Sequence, residues 1–153
     1  MAKASLYNTY GSKDELVRAY LESRHASLAR RITRAVDRYQ DPRDRLLAVF
    51  EAQAEMFAQP GYQGCAFARA SAESHPGDLV EQATEAYRTW MRALLTGLAE
   101  QAAVPDPGLL ARQLHLLFDG SNQAARMDHD HDAATVARAA AATLLDAALE
   151  RQP

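Results

Sequence analysis

An all-α fold is predicted by three features of the chain. Apolar residues recur three and four positions apart over most of its length, the spacing of one helix face. The breaks between these stretches fall at residues that start or stop helices, namely Ser12, Asp41-Pro42, Pro60-Gly61, Pro76-Gly77-Asp78 and Pro105-Asp106-Pro107. Alanine, the best helix former, is abundant, while only 7 glycines and 6 prolines are spread over 153 residues. No segment reads as a convincing strand.

The elements follow in order. Residues 3–10 form a helical stub, with Leu6 and Tyr10 four apart on one face. Gly11 supplies the backbone freedom of a helix end. Ser12 and Glu15 then fit a capping box, Ser12 accepting from the Glu15 N–H and the Glu15 carboxylate reaching back to the Ser12 N–H. The helix they open is predicted to run from Lys13 to Tyr39, with Leu16, Val17, Tyr20, Leu21, Leu28, Ile32 and Val36 on its stripe. Asp41 caps, and Pro42 begins, a helix to about Ala58 that turns Leu46, Val49, Phe50 and Phe57 inward. A shorter helix is expected over Tyr62–Glu73. Asp78, with Glu81 in the box position, opens a long helix carrying Tyr87, Trp90, Leu94 and Leu98. Asp106 and Pro107 open the next, which continues through Gly120 to about Arg126, and the last runs from Ala133 to Glu150 with Asp132 as its cap. The prediction is six substantial helices plus the stub.

The run LYNTYGSKDELVRAYL, residues 6–21, resembles the junction between the DNA-recognition helix and the following helix of TetR-family transcriptional regulators, whose pattern is close to LYxxFxSKxxLxxA. The segment GCAFARASAE, residues 64–73, is similar to one common in the ligand-binding domains of that family. The resemblance implies a TetR-type C-terminal helical domain. It divides the chain into residues 1–11, a remnant of the helix-turn-helix, and residues 12–153, a ligand-binding and dimerisation domain. In the family the junction lies well inside the chain, so this sequence is expected to lack most of its DNA reader.

Composition is that of an ordinary globular domain, 48% hydrophobic and 24% charged. No run is long and apolar enough to span a membrane, and the first residues carry no signal-peptide core. Cys65 is the single cysteine, which excludes an intrachain disulfide and is compatible with a reducing cytoplasm, the expected location. Charge is uneven: residues 1–45 carry net +4 and residues 46–153 net −7. A basic end on an acidic body suits a protein that approaches phosphates with one end, although a solvated arginine face gives the same count.

No G-x-S-x-G, phosphate-cradling glycine loop or H-E-x-x-H is present, so no enzyme, catalytic residue or cofactor is expected. His129 and His131 lie among Asp128, Asp130 and Asp132, a grouping read as a polar loop rather than a metal site. Cys65 has no positive neighbour in sequence to activate it and is read as a small buried hydrophobe.

TetR-family proteins hold small molecules among their middle helices. The resemblance therefore raises a pocket reading for residues that would otherwise be plain core. Phe50, Phe57, Phe67, Trp90 and Phe118 are the expected apolar lining of a pocket for a small apolar ligand, with Gln53, Tyr87 and Asn122 as polar groups and Arg126 near them. Asp119 and Asn122 stand inside an apolar helix, where an unpartnered polar group is costly. The family dimerises through its last two helices, which implies a homodimer built from Leu110, Leu114, Leu117, Leu144, Leu145 and Leu149. For DNA, the resemblance maps Lys3, Ser5, Tyr7 and Asn8 onto the exposed face of the recognition helix and Lys13 onto a phosphate contact. Operator DNA is then a partner of a form carrying the whole reader, and binds this chain weakly or not at all. The function expected is that of a ligand-controlled transcriptional regulator, a repressor by the family's habit. The alternative is a stand-alone dimeric ligand-binding or antagonist module that does not bind DNA.

Overall fold

Helix α3, Pro42–Phe57, is the pivot of the molecule. The computed structural model describes residues 2–151, without the side chains of Ala2, Leu6 and Tyr7. Within it α3 is buried on almost every side from Leu46 to Gln53, as a helix apolar all round must be. It packs on α2 (Lys13–Val36), α5 (Leu79–Gln101), α6 (Pro107–Met127) and α7 (Ala133–Glu150). Helix α5 lies against α2, α4 (Ala66–Ser71) and α6, and α7 closes the bundle on α3 and α6. The first helix, α1 (Ala2–Tyr10), rests on α2 and on no other helix among the described residues. The described residues contain seven helices and no strand, the all-α architecture expected.

The caps explain where the helices start. Glu15 N–H donates to Ser12 Oγ at 3.2 Å, and Gly11 before it takes φ +81°. The return half of the box differs from expectation: the Glu15 carboxylate accepts from the Ser12 hydroxyl, at 3.5 Å, rather than from its N–H. Asp41 caps α3 through the N–H groups of Arg43 and Asp44, Asp78 caps α5 through Glu81, and Asp106 caps α6 through Leu109. The carboxylate of Glu81 in turn accepts from Gly77 N–H. Asp132 does not cap α7; its backbone is already helical (φ −92°, ψ −2°), so its side chain cannot fold over the first turn. Helix α2 stops at Val36, because residues 37 and 38 turn back on the carbonyls of Thr33 and Ala35.

One core cluster runs through all the long helices, with Leu21, Leu47, Phe50, Met91, Leu114 and Leu145 at its centre. A satellite of Phe57, Ala125, Ala133 and Ala134 sits under the loop after α3. At the edge, Arg43 of α3 makes a two-pronged ion pair with Asp146 of α7 at 2.8 and 2.9 Å. Among the described residues no helix is long and apolar enough to cross a membrane.

Candidate functional site

The site lies where α2, α4, α5 and α6 meet. Its base is a stack of two rings: Phe67 of α4 lies on Tyr87 of α5 with centroids 4.0 Å apart and planes 12° from parallel. His25 of α2 meets the edge of both rings and tilts over Trp90 at 4.9 Å. Burial pushes the His25 pKa down, which favours the neutral imidazole in this apolar setting.

Two cavities share the ring stack as a wall. One, of about 60 Å³, is closed by Leu28 and Met56 and reaches Phe118 on the far side. The other, of about 350 Å³, extends along Ser71, Thr84, Arg88 and Asp119. Cys65, Phe67, Tyr87 and Asn122 border both. Tyr87 is 1% exposed as a residue; its hydroxyl makes no hydrogen bond among the described residues and is not one of the buried atoms left unpartnered, which are Arg45 Nε and His115 Nε2. Burial, the largest cause, pushes its pKa far up, so it stands at the cavity wall as a neutral phenol.

The expected pocket residues divide into two groups. Phe67, Tyr87, Phe118 and Asn122 line the smaller cavity. Phe50, Gln53, Phe57 and Trp90 line neither of the two, and each has a packing reason. Phe50 stands behind Phe118, with ring centroids 6.2 Å apart. Gln53 is wholly buried and spends both ends of its amide on α6: Nε2 donates to the Phe118 carbonyl at 2.8 Å, and Oε1 accepts from the Ser121 hydroxyl at 2.7 Å. Phe57 belongs to the satellite cluster, 4.9 Å from Tyr62, and Trp90 covers His25. Of the remaining wall, Leu28 and Cys65 read from the sequence as helix stripe and buried hydrophobe, because nothing local distinguishes a wall position from a core one.

The two polar residues inside α6 both have partners. Asp119 pairs with Arg88 at 2.9 Å and lies 3.6 Å from His115 Nε2. His115 is pushed below its ordinary pKa mainly by burial, with Arg88 and Arg92 acting the same way against Asp119. Asn122 donates to the Phe118 carbonyl at 3.1 Å and accepts from the Tyr62 hydroxyl at 2.9 Å. Burial raises the Cys65 thiol, in keeping with an unreactive side chain.

The expected helix at Tyr62–Glu73 is reduced to α4, and its first four positions form the loop that roofs the site. Gly64 takes φ +87° there, and the Arg126 side chain lies directly on it while donating to the Gln63 carbonyl at 2.6 Å. Arg126 thus braces the loop. A Cβ at Gly64 would stand 2.5 Å from Arg126 Cδ in a backbone region that side chains avoid. Gly64→Ala should therefore lower stability by about 1–3 kcal/mol and loosen the roof. Urea denaturation checks this, and a loss below the lower bound would show that the loop is not held.

The expected dimer leucines divide in two. Leu110, Leu114 and Leu145 are 1%, 0% and 0% exposed and pack in the protomer's own core, leaving no surface for a partner. Leu117, Leu144 and Leu149 are half-buried against the same core. The outward apolar residues of α6 and α7 are Leu109, Leu116, Met127 and Val136, with Leu116 72% and Val136 64% exposed. Of the DNA residues, Lys3, Ser5, Asn8 and Lys13 are exposed, and the Tyr7 side chain lies outside the described residues. His129, His131 and Asp132 are exposed in the loop before α7. Among the described residues, no three His, Cys, Asp or Glu side chains converge as a metal site.

Comparison with known proteins fits this geometry. The model of the tetracyclin repressor-like C-terminal domain matches residues 42–141. A TetR-family transcriptional regulator of Streptomyces coelicolor superposes with a TM-score of 0.84 at 27% identity, over 95% of this chain and 77% of that one. A protein of Streptomyces avermitilis assigned to the TetR transcriptional regulators gives 0.78 at 33% identity, over 95% and 80%. The reduced form of Escherichia coli NemR shares the fold at 0.74 and 23% identity, over 91% and 77%. No match was found among curated proteins. The domain match over residues 42–141, on a helical fold shared with two regulators of that type, places the chain in the TetR family of transcriptional regulators.

Proposed function

We propose that the protein is a ligand-sensing, dimeric regulator whose effector enters between α2, α4, α5 and α6, and that the occupied site controls operator binding, in the manner of a repressor. The observation that carries the reading is the cavity wall itself. It holds three aromatic rings, Phe67, Tyr87 and Phe118, with the polar groups of Asn122, Arg24 and Arg31 at its border. An apolar, ring-lined space with a few polar groups at its edge is the usual form of a small-molecule site. On the outward sides of α6 and α7, Leu109, Leu116, Met127 and Val136 offer the apolar face for a second copy. Lys3, Ser5 and Asn8 on α1 and Lys13 at the start of α2 supply groups that reach base edges and phosphates.

A fluorescent naphthyl probe tests the pocket. Either N-phenyl-1-naphthylamine or its sulfonated form, 8-anilinonaphthalene-1-sulfonate, should bind saturably at one per protomer. Ser27→Trp, which fills the cavity from its half-buried helical wall, should weaken binding by roughly ten-fold or more with helical circular dichroism unchanged. Failure of both probes to saturate, or binding indifferent to Ser27→Trp, would remove the pocket.

A further inference from the structure

The cavity walls carry an unusual charge balance. The inner cavity is bordered by Arg24, Ser27 and Arg31 of α2, which at spacings of three and four residues share one helix face. Outside it, a second space of about 300 Å³ opens beneath the loop after α3 and is bordered by Arg24 and Arg69. The two spaces share Arg24, Met56, Gly64 and Ala66, so they meet at the Arg24 side chain. Neither is bordered by any Asp or Glu, in a chain with 20 acidic and 17 basic residues.

The arginines here are also free. Six arginines face carboxylates, Arg18, Arg38, Arg43, Arg45, Arg88 and Arg138, while others, Arg30, Arg34 and Arg112 among them, make no ion pair among the described residues; what sets Arg24 and Arg31 apart is their place on the wall of the ring-lined cavity. Arg24 and Arg31 have neither an ion pair nor a hydrogen bond among the described residues. Two unpaired guanidinium groups beside an apolar, ring-lined chamber match a molecule that is apolar at one end and anionic at the other.

Resting on the ligand-sensor reading above, we infer that the effector is an amphipathic organic anion. Its ring-sized apolar body lies against Phe67, Tyr87 and Phe118, and its carboxylate or sulfonate is held at Arg24 and Arg31. The Tyr87 hydroxyl is then a donor to any acceptor on the body. The outer space accommodates what the inner one does not.

The two probes named above differ only by a sulfonate, which makes them the test. The sulfonated probe should bind about ten-fold tighter than N-phenyl-1-naphthylamine at low salt, and its advantage should shrink as salt rises. R24Q/R31Q should cost the sulfonated probe about ten-fold and leave the neutral probe unchanged. R30Q/R34Q, with the same loss of charge on the outward side of α2, should change neither. Equal affinities of the native protein for the two probes, or a sulfonated probe indifferent to R24Q/R31Q, would overturn the anion assignment while leaving the pocket standing. Loss of saturable binding for both probes would overturn the pocket and the assignment together. Thermal melting of both double variants confirms the fold, and neither change touches a core residue.

Discussion

Leu116→Glu should convert the protein to a monomer at concentrations where the native chain sediments as a dimer. Leu116 points away from the protomer's core and is 72% exposed, on a helix whose other face carries Leu110, Leu114 and Phe118 inward. An apolar side chain of that size facing water on α6, with Val136 also exposed on α7, belongs under a partner if the two helices form a bundle with their copies. In a two-fold interface each substitution acts twice, so a single change buries two carboxylates without partners. That penalty is several kcal/mol, enough to weaken the dimer by on the order of a thousand-fold. The folded protomer should keep its helical content, because Leu116 contributes nothing to the core. Sedimentation velocity at about 10 μM decides it: a variant that still sediments as a dimer would place the interface elsewhere. Leu114→Glu makes the contrast. It buries a charge within the protomer and should unfold the chain rather than merely separate two copies.

That contrast shows where reading the sequence stops. Capping chemistry placed most helix starts correctly, since Ser12, Asp41, Asp78 and Asp106 each announce a helix by a local bond that needs no tertiary partner. Alternate faces are a different matter. Helix α6 carries leucines on two sides, Leu110 and Leu114 inward and Leu109 and Leu116 outward, and periodicity alone does not say which set meets its own core. The overlooked signal is the second stripe at Leu109, Leu116 and Met127, which one core cannot bury together with the first. The site divides in the same way. The aromatic residues of the middle helices were recognisable, but whether a ring borders space or its neighbour depends on packing within an ångström or two. Phe118 and Phe50 are adjacent, yet only Phe118 reaches the cavity. Gln53 looked like a ligand group because it is polar among apolar residues. Its amide is consumed by the Phe118 carbonyl and the Ser121 hydroxyl, partners 65 and 68 residues away in sequence. The roof loop has the composition of a helix, and the contact that holds it open, Arg126 on Gly64, exists only in the folded chain.

Phe118→Ala is the second large effect, and it acts on core and site at once. The side chain is 1% exposed, backs onto Phe50 and forms one wall of the cavity. Truncating such a ring should lower stability by about 3–5 kcal/mol, a large share of the roughly 5–15 kcal/mol that a domain has. The melting temperature should fall by roughly 10 °C or more. Secondary structure should survive at low temperature, because the residue's main-chain role is untouched: its carbonyl still accepts from Gln53, Ser121 and Asn122, whichever side chain it carries. Phe118→Leu, which restores part of the volume, should recover about half of the loss. A benzene-sized compound should raise the melting temperature of Phe118→Ala by more than that of the native protein, because the removed ring leaves apolar space joined to the cavity. A loss below about 1 kcal/mol would mean that Phe50 and Met56 collapse into the gap, so that the wall is pliable rather than packed. Compound-dependent stabilisation of both, larger in the variant, would locate core and site at the same ring.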